Sequence, residues 1–320
     1  MAVRNKLLQQ AALMALLACG GTGSEGGGGS PGSSEGGGGS SGGGSVAPLT
    51  ECDDSMPEWV FCSGFEEGSK AIWDDYDGNP DSENKLVADA GPWGVAGNHV
   101  ARLRVPAGRG GSDLVKLLPP HDLLYARWYV AYEPGFNFDA PNHGSALFAG
   151  DRNNLGRSGI RPDGTDVISA GVEYSPSLHV NSTYVYYRGM YQDCADPDGA
   201  CWGDSLPCIY DEGQSYCTRA ADRPVAGNAA PALQTGRWYC VELMLDAGFP
   251  SSSEDGAGGA LDWWIDGQEM GPFRGLWMRT VPDLQVDILW LSLFHHDDQH
   301  SLLGVLYDDV VVSTARVGCR

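Results

Sequence analysis

Tyr184 and Tyr186 flank Val185 in Thr183–Tyr191, a run dense in aromatic residues. A strand turns alternate side chains to opposite faces, so Tyr184, Tyr186, Arg188 and Met190 are expected to share one face, opposite Val185 and Tyr187. Two phenols and a guanidinium side by side can pass a proton and hold an anion. The same rings can also stack on a ligand with no chemistry at all. Three other runs add candidates by the same alternation. Over 167–174, Ile168, Ala170, Val172 and Tyr174 form the core set, which leaves Ser169, Gly171 and Glu173 on the other side. Over 288–296, Leu289, Leu291 and Leu293 belong to the core, and Trp290, Ser292 and His296 face outward. Over 125–133, Trp128, Val130 and Tyr132 belong to the core, and Arg127 and Tyr129 lie outside. His143 stands beside the glycine-flanked run Gly144–Gly150, where it can serve as a base.

Other reactive patterns have bland readings. Neighbouring histidines on a strand point to opposite faces, so His295-His296-Asp297-Asp298 with His300 reads as a solvated loop rather than a transition-metal site. No two cysteines have the Cys-x-x-Cys spacing of a zinc ribbon. The folded part holds no Gly-x-Ser-x-Gly nucleophile elbow. Asp266-Gly267 between two strand-like runs is a type I′ hairpin signal, which assigns Asp266 to a turn.

These residues need a frame. The strand-like runs recur with Pro and Gly between them, and no long amphipathic helix interrupts them, so the fold class is all-β, a two-sheet sandwich. The frame is expected to occupy 48–320 as a single domain. Residues 1–18 have a short basic start (Arg4, Lys6) and an apolar stretch too short to span a bilayer, as in an export signal. Leu16-Leu17-Ala18-Cys19 resembles a bacterial lipobox, with Cys19 as the lipidated residue. Residues 19–47 then form a Gly/Ser linker that cannot bury apolar surface, with a reach of roughly 30 Å. This predicts an outer-membrane or cell-surface lipoprotein that meets the membrane only through its anchor.

The formal net charge is −22, and Lys6, Lys70, Lys85 and Lys116 are the only lysines. Such a surface repels nucleic acid and anionic headgroups. With Cys19 lipidated, Cys52, Cys62, Cys194, Cys201, Cys208, Cys217, Cys240 and Cys319 remain, an even set that implies disulfides in an exported protein. Sequence alone leaves their connectivity open. Short loops suggest Cys52–Cys62, Cys194–Cys201 and Cys208–Cys217, with Cys240–Cys319 tying the last strand to an inner one.

Six elements between Tyr125 and Cys319 come in a telling order. They are Gly144–Gly150, Tyr184-Val185-Tyr186, Gly203-Asp204-Ser205, Gly236-Arg237-Trp238 leading into Val241-Glu242-Leu243, Trp264-Ile265-Asp266-Gly267, and Tyr307-Asp308-Asp309-Val310. Together they resemble the concanavalin A-like jelly roll, and within it the alginate lyase-like polysaccharide lyases. The resemblance implies β-elimination on a uronate polymer, with Tyr184 and Tyr186 as acid and base. It also implies basic groups where this chain has Ala146 (lysine in Gly-Lys-Leu-Pro-Gly-Leu) and Gly171 (arginine in Ser-x-Arg). Removing one preorganised donor from an active site typically costs on the order of 10²–10³ in rate. Hydrolases of the same sandwich carry Glu-x-Asp-x-Glu on one strand, which is absent here; Glu242 and Asp246 are separated by three apolar residues.

The leading expectation is a monomeric, surface-tethered polysaccharide binder without efficient catalysis. Its binding residues are Arg127, Tyr129, Ser169, Glu173, Trp290, Ser292 and His296 together with the tyrosines. An active lyase using Tyr184, Tyr186, Arg188 and His143 is the alternative. A further alternative is an envelope protein-interaction module that uses the region between Cys194 and Cys217. No cofactor is expected, apart from a structural calcium for which Glu66, Glu67, Asp308 and Asp309 offer hard oxygen ligands.

Overall fold

The computed structural model describes residues 51–54, 56–76, 85–105, 110–138, 142–175, 180–190, 201–206, 210–211, 214–215, 230–295 and 303–320. All lie in one compact unit, Ala47–Arg320. The expectations for Cys19 and the segments before and after it fall outside the described residues, as do those for Cys194, Cys208, Cys217 and His296.

Apolar and aromatic runs become strands, and among the described residues the only helical turns are three short 3₁₀ segments. Apart from the short pair Tyr210–Asp211 and Gln214–Ser215, the strands form two antiparallel sheets. The back sheet runs in the order Gln268–Glu269, Gly259–Ile265, Trp238–Asp246, Leu123–Tyr132, Leu303–Ser313, His99–Val105, Lys85–Ala88, with Trp59–Ser63 added along Leu303–Ser313. The front sheet runs Asp204–Ser205, Val180–Tyr186, Val167–Ser175, Asn142–His143, Val286–His295, Gly111–His121, Asp75–Tyr76. Ala146–Gly150 shares the lane of Asn142–His143, between Val167–Ser175 and Val286–His295. Gly144 joins these two pieces, and a Cβ there would sit 2.2 Å from the Val172 carbonyl oxygen, so only glycine lets the lane close on its neighbour.

The core lies between the sheets. Trp128, Val130, Tyr239, Val241 and Trp263 from the back meet Ile168, Ala170, Val185, Leu289, Leu291 and Leu293 from the front. Each fully buried side chain of this size contributes roughly 1.5–3 kcal/mol. A cavity of about 20 Å³, room for one water, lies among Tyr132, Tyr174, Asn181 and Tyr307. The Tyr307 hydroxyl donates to the Ser292 carbonyl and accepts from Ser145 Oγ, both at 2.9 Å. Asp266 and Gly267 take φ of 50° and 78°, as a type I′ turn requires, and join Ile265 to Gln268. Cys52–Cys62 and Cys240–Cys319 are disulfides. Cys201 is disulfide-bonded as well.

The outer face of the back sheet is covered, and this corrects the expected role of two residues. Arg127 and Tyr129 do point away from the core, but both are buried, at 0% and 5% exposure. Arg127 is paired with Glu51 and lies 5.0 Å over the Tyr129 ring. The Tyr129 hydroxyl accepts from the Arg320 backbone N–H at 2.9 Å, and Trp93 packs edge-on against its ring. Glu242 accepts from the Val317 and Gly318 N–H groups, and Cys319 is bonded to Cys240. The chain terminus therefore roofs this face, so neither Arg127 nor Tyr129 can meet a polymer. Alternation gives the direction of a side chain but carries no information on what later covers it.

Candidate functional site on the front sheet

Strand register assembles the outer face of the front sheet. Ser205, Tyr184, Gly171, Ala146, Trp290 and Val115 stand opposite one another in a row across five strands and the edge. The next row is Tyr186, Ser169, Phe148, Ile288 and Leu117. Opposed side chains share a face, so Tyr184 and Trp290 stand on either side of a floor made by Gly171 and Ala146. Val115, Phe148, Val167 and Ile288 form a small apolar cluster on this side, with Leu155 and Trp290 packed on it. The Trp290 Nε1 donates to Asp113 Oδ2 at 3.2 Å.

The tyrosine hydroxyls share a hydrogen bond of 3.0 Å. Tyr184 also accepts from the Gly203 N–H at 3.0 Å, and Tyr186 from the Gly159 N–H at 3.3 Å. Burial raises the pKa of both phenols, and the neighbouring Tyr186 pushes Tyr184 higher still. Neither is set up to be a phenolate near neutral pH. His143 stacks on Tyr184 with centroids 5.5 Å apart and reaches Phe294 at 5.9 Å. Its Nδ1 is paired with Glu173. Burial works against a charge on His143, but the carboxylate and hydrogen bond of Glu173 outweigh it and raise the pKa. The face thus carries a histidine–carboxylate pair beside two protonated phenols.

The structure brings together Tyr184, Tyr186, His143, Ser169, Glu173 and Trp290, with Tyr186, only 5% exposed, placed to support Tyr184 rather than to meet a ligand. Ser292 belongs to the same side of its strand but is 2% exposed, and its backbone is held by Tyr307 and Ser145 Oγ, so it is closed to a ligand. Arg188 departs from the expected face because its strand ends at Tyr186. A turn follows in which Met190 N–H bonds the Tyr187 carbonyl; Met190 enters the core and Arg188 lies 4.5 Å over the Trp277 ring. Two contributors had no assigned role in sequence. Gly203 lies against both tyrosine rings, where a Cβ would come within 3.0 Å of Tyr186 and 3.1 Å of Tyr184. Trp202, the residue before it, is 37% exposed. The Gly203-Asp204-Ser205 element was the available signal, since a glycine bounding a short strand often marks a close approach.

The carboxylates considered for calcium are engaged with protein groups. Glu66 accepts from the His99 N–H at 2.6 Å, and Glu67 from Ser63 Oγ at 2.7 Å. Asp308 accepts from Asn98 Nδ2 at 2.8 Å, and Asp309 from Trp93 Nε1 at 2.6 Å. Burial, then the charge of Asp309, pushes Asp308 up to about 8. Among the described residues no group of three or more His, Cys, Asp or Glu side chains is placed to hold a metal ion.

No protein-family model matches the chain, and no curated protein does. Solved structures do. The alginate lyase vAL-1 from Chlorella virus superposes with a TM-score of 0.54 at 12% identity, over 80% of this chain and 99% of that one. A double mutant of the alginate lyase Aly36B, in complex with an alginate tetrasaccharide, superposes with a TM-score of 0.52 at 13% identity, over 82% and 97%. The chain has the alginate lyase fold. At this identity the likeness is one of architecture, a jelly roll of two antiparallel sheets, and leaves the chemistry to the residues present.

Proposed function

We propose that the outer face of the front sheet binds polysaccharide without efficient cleavage, on an exported protein tethered to the cell surface through Cys19. The observation that carries this reading is the row Tyr184–Gly171–Ala146–Trp290, aromatic at both ends with no cation between. β-Elimination takes the proton next to a carboxylate, so the enzyme must neutralise that carboxylate and present a base. Here the two positions at the centre of the row are alanine and glycine, and the phenols hold their protons. The partly buried Tyr184 and Trp290 offer ring edges and faces for sugars to stack on.

The contact of His143 with Tyr184 and Glu173 favours a second reading, slow lyase activity. The pair with Glu173 raises the pKa of His143, which favours giving a proton over taking one.

Affinity electrophoresis of the full chain in gels containing alginate, glucuronan and neutral polysaccharides, with ultraviolet detection of unsaturated uronate ends, tests both. Retention without new absorbance is expected. Turnover of any uronate polymer would make the protein a lyase, and free migration in every gel would remove the binding function.

A further inference from the structure

The polymer's chemical class can be read from the charges and the exposed rings on this face. Large apolar side chains seldom stay exposed together without a partner to meet. Phe294 is 37% exposed. Phe294 is two residues along its strand from Ser292 and in register with His143, so it extends the Trp290 side of the face. The face therefore has a ring platform on each side of its floor, Tyr184 on one and Trp290 with Phe294 on the other.

Its fixed charges are acidic. Among the described residues Glu173, Asp113 and Asp75 are carboxylates of this face, and the imidazole of His143 is committed to Glu173. Basic groups flanking it are engaged: Arg152 with Asp75, Arg157 with Asp166, and Arg188 over Trp277. The whole chain carries −22. Carboxylates accept hydrogen bonds from sugar hydroxyls and repel sugar carboxylates.

We propose that this face takes a neutral hexopyranose polymer in preference to a uronate polymer. The inference rests on the polysaccharide-binding reading above and adds the class of sugar. The two ring platforms cover the apolar C–H faces of successive sugars, and Glu173 and Asp113 accept from their hydroxyls. A uronate residue lying over Gly171 and Ala146 would meet these carboxylates, while the nearest cationic partners, His143 and Arg152, are already committed to Glu173 and Asp75.

The test compares each uronate polymer with the same polymer after carboxyl reduction, which turns every uronate into a neutral hexose and leaves linkages intact. Alginate and glucuronan supply two such pairs, titrated against the full chain. At low ionic strength at least one reduced polymer should bind about tenfold tighter than its parent, a difference of about 1.4 kcal/mol. The gap should narrow as salt rises, because screening removes the repulsion of the parent. A parent that binds as tightly as its reduced form, or more tightly, overturns the inference while leaving the binding function intact. If no member of either pair binds and the neutral polymers of the wider panel also fail, the polysaccharide reading itself falls. Gly171→Arg gives an independent arm. A Cβ at Gly171 meets its nearest atom, Ala146 Cβ, at 3.5 Å, an ordinary contact, and urea unfolding of the variant checks that the longer side chain leaves the fold intact. It should raise affinity for the parent polymers about tenfold. A folded Gly171→Arg protein with unchanged affinity for both forms would place the polymer elsewhere and overturn the inference.

Discussion

Arg127→Met should destabilise the fold and leave polysaccharide affinity unchanged. The arginine is 0% exposed, and its Nη2 donates to Glu51. Its Nε and Nη1 meet no acceptor among the described residues, and the Tyr129 ring lies 5.0 Å from the guanidinium carbon. Removing one member of a buried ion pair costs about 3–5 kcal/mol, mostly because the other charge is left uncompensated. Glu51 retains Arg320 Nε at 2.9 Å, so the loss should fall at the low end, about 3 kcal/mol. For a domain of this size that is a fall in Tm of roughly 6–12 °C. Replacing both members, as in Arg127→Met with Glu51→Leu, should recover most of it, since an apolar pair needs no compensation. Urea unfolding at neutral pH of the wild type, both single variants and the double variant reads the coupling, and affinity for the retained polymer is measured on the same samples. A normal unfolding midpoint with lost affinity in Arg127→Met would refute the reasoning. It would mean that the back sheet, not the front, meets the polymer.

Burial, reinforced by a hydrogen bond and the charge of Glu269, pushes Asp262 up to about 7. A folded value above the ordinary 3.8 means that stability is fully present at acid pH and is lost as pH rises from about 4 through 7. Asp262→Asn keeps an oxygen to accept from the Trp263 and Gly271 N–H groups, so it should flatten that decline and gain about 1–3 kcal/mol at pH 8, read by urea unfolding against pH. An unaltered pH profile would show that Asp262 ionises normally. Gly203→Ala places a Cβ 2.9 Å from the Val185 carbonyl oxygen and against both tyrosine rings, so it should cost about 1–3 kcal/mol and disturb Tyr184 and Tyr186 together. Wild-type stability in this variant would mean that the Asp204–Ser205 edge is not seated there. In a spectrophotometric titration Tyr184 should keep its proton at the pH of about 10 where exposed tyrosines ionise, so Tyr184→Phe should leave that step unchanged. A step reduced by one tyrosine would contradict the burial argument.

Period-two alternation was enough to find the strands and the cores of both sheets, because a sandwich with a packed interior leaves the pattern little freedom. Ile168, Ala170, Val172 and Tyr174 are all buried, as are Leu289, Leu291 and Leu293. The Asp266-Gly267 turn was legible because positive φ at two successive residues favours few dipeptides. The site was legible only in part. Tyr184 and Tyr186 share a face because they sit two apart in one strand, but that Ala146 and Gly171 meet between Tyr184 and Trp290 depends on register among strands distant in sequence. Arg188 was misplaced because nothing in Tyr187-Arg188-Gly189 other than the glycine marks the end of the strand. Arg127 and Tyr129 were misplaced because their cover comes from Glu51 and Arg320, at opposite ends of the described residues.

The central claim is that the outer face of the front sheet holds polymer and does not cut it. The most direct measurement is equilibrium affinity of the full chain and of Tyr184→Ala/Trp290→Ala for a polymer that the wild type retains, with ultraviolet absorbance followed in the same cuvette. The account predicts at least about a tenfold loss of affinity in the double variant, equivalent to about 1.4 kcal/mol, and flat absorbance in both proteins. Unchanged affinity in a folded double variant, or rising absorbance with the wild type on any uronate polymer, would contradict it.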